Sequence, residues 1–431
     1  MAEMRPAAEM KDSGIEWVGQ IPSNWRVVKN NRLFRITKTL VDDAWETTQL
    51  LSLTKGGIIE KNINDGGGKQ PESFSTYQFV EKDDIVLCLF DIDVSAVFSD
   101  RSSFDGMISP AYRVMKCEKN ILPVYAKWWF DAVNVGRYYL IYTKSLRKTI
   151  DSEGFGNILT AIPPLSEQQA IADYLDDRCS RIDEIITEAT ASIEKYKELK
   201  QAVITEAVTG RNTQQVFSDS KNAVLGAIPS HWKKKRIKDV SVRITVGVVV
   251  TPANYFDDNG TIPFLRGINV KEYVINDTPM VYISEETNRV LSKTIVHTND
   301  LVIVRDGAIG VTAVVPEKFD GANVVSMIIV TPDSNTDPNY LCYVMNSEVG
   351  KVQFELTKIG AALTHTSVKA VSNIDIPFPP IEEQKSIVAY LNVKISQMNS
   401  LISEKQALID DLQAYKKSLI YEVVTGKRRV V

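Results

Sequence analysis

The segment running from Ile162 to Arg211, IPPLSEQQAIADYLDDRCSRIDEIITEATASIEKYKELKQAVITEAVTGR, returns near the end of the chain as FPPIEEQKSIVAYLNVKISQMNSLISEKQALIDDLQAYKKSLIYEVVTGK. Pro163-Pro164 answers Pro379-Pro380 and Thr209-Gly210 answers Thr425-Gly426, both at an offset of 216 residues, with no gap between. The chain is therefore an internal repeat, and any fold proposed for one half must serve the other.

Each copy is expected to be one long helix. The paired prolines fix the chain just ahead of it, and Ser166 with Gln169 resembles a capping box, of which Glu382 with Lys385 is a weaker version. Gly210 and Gly426 stand where a helix C-cap favours positive φ. Between the caps, apolar residues recur every 3.5 positions. The first seam is Leu175, Cys179, Ile182, Ile186, Ala189, Ile193, Tyr196, Lys200, Val203 and Ala207. The second is Leu391, Ile395, Met398, Ile402, Lys405, Ile409, Leu412, Lys416, Leu419 and Val423. That period predicts a coiled coil. At about 1.5 Å per residue, each helix is roughly 65 Å long, so it is a spacer as well as a packing element. A helix that carries the chain from one globular unit to the next must be met by a second running back, so the pair should be antiparallel and the termini close.

The globular units repeat too. Gly19, Ile21-Pro22 and Trp25 recur as Gly226, Ile228-Pro229 and Trp232 at an offset of 207, whereas Asp84-Ile85-Val86 pairs with Asp300-Leu301-Val302 at 216. The second unit thus carries about nine extra residues in an early loop. Short β-rich runs broken by turns (LLSLTKGGII, DDIVLCLF, FDGMISPAYRVM, then TIPFLRGINV, DLVIVRDGAIG, FDGANVVSMIIV) precede a helical piece in each copy. The predicted class is α+β: two repeated globular domains separated by two long helices that form an antiparallel coiled coil. The expected division is 1–161 (first globular domain), 162–211 (first helix), 212–227 (linker), 228–377 (second globular domain) and 378–431 (second helix). Residues before Lys11 have the look of a disordered start.

Function classes narrow quickly. No apolar run approaches the roughly 20 residues that span a bilayer, and the first 14 residues hold no secretory h-region, so a cytoplasmic protein is expected. Cys88, Cys117, Cys179 and Cys342 share no CxxC spacing, and His231, His297 and His365 are equally dispersed, which points to buried reduced thiols and to no metal site. Gly66-Gly67-Gly68-Lys69 lacks the spacing of a phosphate-binding loop. The Pro-Pro pairs do not form the Asn/Asp-Pro-Pro-aromatic motif of a methyltransferase, and Glu198-Leu199-Lys200 lies on the coiled coil rather than in a nuclease site. No residues present themselves for catalysis.

Basic clusters are the better signal. A net charge of −4 rules out a uniformly basic coat but not local patches. Lys144, Arg147 and Lys148 lie before the first long helix, and Lys233, Lys234, Lys235 and Arg236 follow Trp232, with Lys238 and Arg243 beyond; clustered cations of this kind grip phosphates through counterion release, or else form a solvated face. Arg266 (in FLRG) and Arg305 (in VRDG) are isolated arginines at strand ends close to glycine, suited either to a bidentate contact with guanine or to an ion pair with a local Asp.

The Pro-Pro-x-x-Glu-Gln start (Pro163, Pro164, Glu167, Gln168; Pro379, Pro380, Glu383, Gln384), the long helix, the Thr-Gly exit and the doubled layout resemble the specificity subunit of type I restriction-modification enzymes. The runs DDIVLCLF and FDGMISPAYRV, with their second-half counterparts, are similar to that family's target recognition domains. The resemblance implies a noncatalytic reader of double-stranded DNA with a bipartite, asymmetric target. It implies partners as well: methyltransferase subunits, expected as two copies, and restriction (nuclease-translocase) subunits, which would hold the S-adenosylmethionine, ATP and Mg²⁺. The competing class is a structural coiled-coil adaptor that binds proteins only.

Overall fold

The computed structural model describes residues 3–63, 73–95, 98–143, 147–213, 215–356 and 365–430. They form two compact units: Met1–Thr190 with Gln406–Val431, and Ala191–Lys405. The long helices, Leu165–Thr209 (45 residues) and Ile381–Val424 (44 residues), each contribute one segment to each unit.

In the first unit a hairpin (Met10–Asp12 with Gln20–Pro22) leads to the strand Arg26–Lys29, which pairs antiparallel with Leu159–Ile162, the strand that feeds the first long helix. One four-stranded antiparallel sheet runs in the order Phe34–Thr37, Arg113–Cys117, Ile85–Leu87, Ser99–Arg101. A second runs Gly57–Lys61, Leu50–Thr54, Gly106–Ile108, Gln78–Val80, with its central pair parallel. The second unit repeats the plan. Lys233–Arg236 pairs with Asp375–Phe378, and the antiparallel sheet is Ser241–Val246, Met327–Pro332, Leu301–Val304, Thr312–Val314. The mixed sheet is Val281–Ile283, Ile262–Leu265, Asn323–Val324, again with one parallel pair. Between Leu265 and Val281, where the first unit needs only the turn between Thr54 and Gly57, the second unit makes an excursion that builds a small hairpin, Val270–Lys271 with Val274–Ile275.

The repeated motifs hold the helix ends. Glu167 accepts the indole N–H of Trp25 at 3.1 Å, and Glu383 that of Trp232 at 3.0 Å. Fully buried Gln168 accepts from the backbone N–H of Leu122 and donates to the carbonyls of Asn120 and Pro163; Gln384 does the same with Asp337, Asn335 and Pro379. The helix that follows each of these loops (Pro123–Gly136 or Pro338–Asn346) is thereby fastened to the start of a long helix. At the far ends, Gly426 and Gly210 both sit at φ +72, and a Cβ on either would stand 2.4 Å from Pro22 or Pro229. Tyr125 donates to the carbonyls of Ala161 and Val424, and Tyr340 to those of Pro377 and Val208, so one hydroxyl in each unit ties the end of an arriving helix to the strand that feeds a departing one.

Within each unit the two helical segments run antiparallel. In the first, Lys416 Nζ reaches the Asp183 carboxylate at 2.6 and 2.7 Å, and Leu175, Cys179 and Ile182 share a core with Leu419 and Val423. In the second, Lys200 Nζ reaches Asn399 Oδ1 at 3.2 Å, and Ala207 and Val208 cluster with Leu391 and Ile395. Leu175, Ile182, Ile193, Leu391, Ile395, Met398, Ile409 and Leu419 are buried, and Ile186, Tyr196, Val203, Ile402 and Leu412 half-buried. Ile171, Ile204 and Ile420, off the heptad, are buried too, because the helix ends also face the globular core.

Three expectations need correction. Ser166 is the second residue of its helix rather than its cap; the first-turn N–H groups of Glu167 and Gln168 go to the Pro164 carbonyl, and Gln169 turns to Asp173. Residues 3–9 are ordered: Met4 bridges Arg428, Arg5 pairs with Glu167, and Glu9 pairs with Arg429. The stretch 212–227 is more than a linker, since Phe217–Asp219 pairs with Ala227–Pro229 in a copy of the opening hairpin. Gly66 to Lys69 lie outside the described residues.

Candidate nucleic-acid interface

The repeated acidic residues serve the turn ahead of the central strand. Asp84 and Asp105 accept from the N–H groups of Glu81 and Lys82, as Asp300 and Asp320 accept from His297 and Thr298. Burial pushes the Asp84 carboxyl up, partly offset by the Glu81 N–H, whereas the Thr298 N–H holds Asp320 below its ordinary value. Arg243 is spent on the same turn, paired with the buried carboxylate of Asp300 at 2.7 Å. These motifs are framework.

The basic run on the strand Lys233–Arg236 divides. Lys234 lies 3.5 Å from Asp375, and Lys235 Nζ sits 4.0 Å above the Phe378 ring. Arg236 and Lys238 both reach the Asn373 side-chain oxygen. Lys233 is exposed. None is buried in a carboxylate cage, so the strand keeps a positive face along the sheet that feeds the second long helix.

The other candidates gather at strand ends. In the first unit the chain leaves Ile85–Leu87 through Leu89, Phe90 and Asp91, and residues 147–150 run alongside: Asp91 N donates to Arg147 O, Ile92 N to Lys148 O, and Ile150 N to Leu89 O. Arg147 and Lys148 are exposed there, and Lys144 lies outside the described residues. Phe90 stacks on Tyr112, with ring centroids 6.1 Å apart. In the second unit Thr366 N donates to Arg305 O, the counterpart of the bond from Ile150 to Leu89, and Asp306 bridges His365. Arg266 starts the extra hairpin; Asn269 accepts its N–H at 3.0 Å and donates back to its carbonyl at 2.8 Å.

Among the described residues neither Arg266 nor Arg305 forms an ion pair, and the buried Nε of each has no hydrogen-bond partner. Asp306, the nearest carboxylate in sequence to Arg305, takes the Ser326 hydroxyl at 2.7 Å instead. Non-glycine residues at positive φ mark both strand ends, Asp91 (φ 46) and Ser326 (φ 49), and such backbone is often held where a surface must present side chains. Phe90, Tyr112 and Ser326 were not singled out from sequence. Setting Leu89-Phe90 opposite Arg305-Asp306 at the 216 offset would have exposed the difference. Among the described residues no group of His, Cys, Asp and Glu is placed to hold a metal, and no helix is long and apolar enough to cross a membrane.

Residues 229–410 match the type I restriction modification DNA specificity domain. The chain is 24% identical over 314 residues to the type I restriction enzyme MjaVIII specificity subunit of Methanocaldococcus jannaschii, covering 68% of this chain and 70% of that one. It is 24% identical over 285 residues to the EcoBI specificity subunit of Escherichia coli, covering 62% and 59%. Its fold is similar to a chain solved in work on complex assembly and conformational transition of the type I R-M system (TM-score 0.73, 16% identity, 94% and 99% covered). The HsdS subunit from Thermoanaerobacter tengcongensis is a further structural neighbour (TM-score 0.52, 17% identity, 94% and 98% covered). In its matched domain, its relatives and its fold, the chain is similar to the specificity subunits of type I restriction-modification systems.

Proposed function

We propose that this chain is a noncatalytic DNA reader that recognises a bipartite, asymmetric target and directs methyltransferase and restriction subunits to it. The observation that carries the reading is a duplicated framework with unlike strand ends: Leu89, Phe90 and Tyr112 with Arg147 and Lys148 in one unit, Arg266 and Arg305 in the other. Two copies of one fold that differ at matching surface positions suit two different half-sites, because base edges in the major groove are told apart by side-chain chemistry while phosphate contacts only set register. The named activities of the relatives as specificity subunits support this reading. S-adenosylmethionine, ATP and Mg²⁺ would then sit on the partner subunits, and this chain would supply position rather than chemistry.

The test is co-expression with the cognate methyltransferase subunit in a host free of its own adenine methylation, followed by base-resolution mapping of modified sites. The expected result is one motif in two unlike halves separated by a fixed gap. A complex that forms but methylates no such motif, with no footprint on duplex DNA, would favour the adaptor instead.

A further inference from the structure

The second unit differs from the first by an excursion between Leu265 and Val281 and by an arginine where the first unit has Leu89. The two differences meet. A Cβ on Gly267, the residue after Arg266, would lie 3.5 Å from the Val304 side chain, and Val304 precedes Arg305. Two guanidinium-bearing residues therefore spring from neighbouring main chains. Both are half-buried, and other cations of this unit have carboxylates: Arg243 on Asp300, Lys318 on Asp277, Lys351 on Glu272. Arg266 is also oriented, its backbone locked to Asn269 and its Nη2 donating to the Pro279 carbonyl at 3.2 Å.

A cation recruited for phosphate needs only proximity and gains from a flexible, fully exposed stem. A half-buried arginine whose Nε is sunk in the protein, as in both Arg266 and Arg305, presents the two terminal nitrogens of its planar group to a planar pair of acceptors, and in duplex DNA that pair is O6 and N7 of guanine in the major groove. Resting on the DNA-reading function proposed above, we propose that Arg266 and Arg305 are specificity-determining residues that read guanine, and that this requirement is confined to the half-site of the second unit. The first unit, with Leu89 and the Phe90–Tyr112 stack at the matching strand end, has no such pair there.

The experiment uses the full chain with its methyltransferase subunit. Exchanging residues 212–377 for those of a relative identifies which half of the mapped motif belongs to the second unit. That half should require a G·C pair, and Arg305→Gln or Arg266→Gln should each relax one position in it while the other half stays sharp. In binding, 7-deazaguanine at the assigned position, which lacks the N7 acceptor, should weaken the wild-type complex by roughly 5- to 150-fold and leave the matching Gln variant indifferent. A variant that methylates nothing is judged on this binding comparison, with Arg305→Lys alongside to keep the charge. Three results would overturn the proposal: a second half with no required G·C pair, equal loss of affinity for all sequences, which is phosphate behaviour, or a Gln variant as sensitive to 7-deazaguanine as wild type. Absence of any bipartite motif in the wild-type complex would instead remove the DNA-reading function itself.

Discussion

Replacing Gly426 by alanine tests whether the end of the second long helix is welded to the first globular core. Gly426 sits at φ +72, and an added Cβ would stand 2.4 Å and 2.5 Å from Pro22 side-chain carbons and 2.9 Å from the Trp25 ring. Gly19, in the same unit, has nearly the same backbone (φ +67) with nothing within 4 Å of the Cβ position. It is a matched control. Gly19→Ala should lose only the stability that a Cβ costs at positive φ, about 1 to 2 kcal/mol for a left-handed residue. Gly426→Ala should lose that and add overpacking of about 1 to 3 kcal/mol, since Pro22 is rigid and Trp25 is fully buried. For a unit of this size each kcal/mol moves the midpoint by about 2 to 4 °C, so the two variants should melt about 2 to 12 °C apart. Tryptophan fluorescence is a selective probe, because five of the six tryptophans (Trp17, Trp25, Trp45, Trp128 and Trp129) lie in the first unit. Equal melting of the two variants would refute the idea that Gly426 is needed for close approach and reduce its role to backbone geometry. Gly210→Ala, whose Cβ would meet Pro229 at 2.4 Å, should repeat the effect in the second unit.

Gln168→Leu, which strips partners from one buried N–H and two carbonyls, should cost about 2 to 4 kcal/mol in urea unfolding, whereas Gln169→Leu on the exposed face should stay within about 0.5 kcal/mol; similar losses would show that the Glu-Gln motif is not an anchor. Lys233→Gln with Lys235→Gln, or Arg147→Gln with Lys148→Gln, should weaken binding to every duplex alike and flatten the plot of log affinity against log salt by roughly 0.9 for each phosphate no longer neutralised, while Lys234→Gln does less because Asp375 already shares that charge; a salt slope untouched by the double variants would dismiss these patches. Burial pushes the thiols of Cys117 and Cys342 up to about 12 and that of Cys179 up to about 11. Being raised, these groups stay protonated as the pH climbs through 8, with roughly one thiolate in a thousand or fewer, so iodoacetamide should label them only after denaturation; native labelling of Cys342 seen by mass spectrometry would contradict that burial.

What could be read from the chain, and what could not, divides by the range of the interactions involved. The helices, their seams and the α+β repeat rest on local periodicity and on a gapless offset, both visible in one dimension. The order of residues 3–9 was not visible, because Arg5 and Glu9 take it from Glu167 and Arg429, far along the sequence. The capping box failed for a related reason: a helix-start pattern supposes that the cap is chosen locally, yet Pro164 supplies the carbonyl and Gln168 is committed to a loop 46 to 48 residues upstream. The strand-end sites were half legible, since isolated arginines close to glycine drew attention to Arg266 and Arg305, but their adjacency depends on an excursion whose position the offset could only bound.

The same division would let two copies of one framework carry different readings, as the proposed function requires. Residues kept identical in both copies (Trp25 and Trp232, Tyr125 and Tyr340, Glu167 and Glu383, Gln168 and Gln384, Gly210 and Gly426) all act where a globular unit meets a long helix. A change in any of them strands a buried polar group or forces a clash, which costs stability whatever DNA is bound. Residues that differ at matching positions, Leu89 against Arg305 or Phe90 against Asp306, lie past the last ladder bonds of their strands, where a substitution leaves the helix joints untouched. Specificity can therefore change without cost to the scaffold only if the reading residues stay off the helix joints. Joining the helix framework of this chain to strand ends from a relative should accordingly give a folded protein whose melting tracks the framework and whose target tracks the strand ends; a graft that melts like the donor of the strand ends would show that the two roles share residues after all.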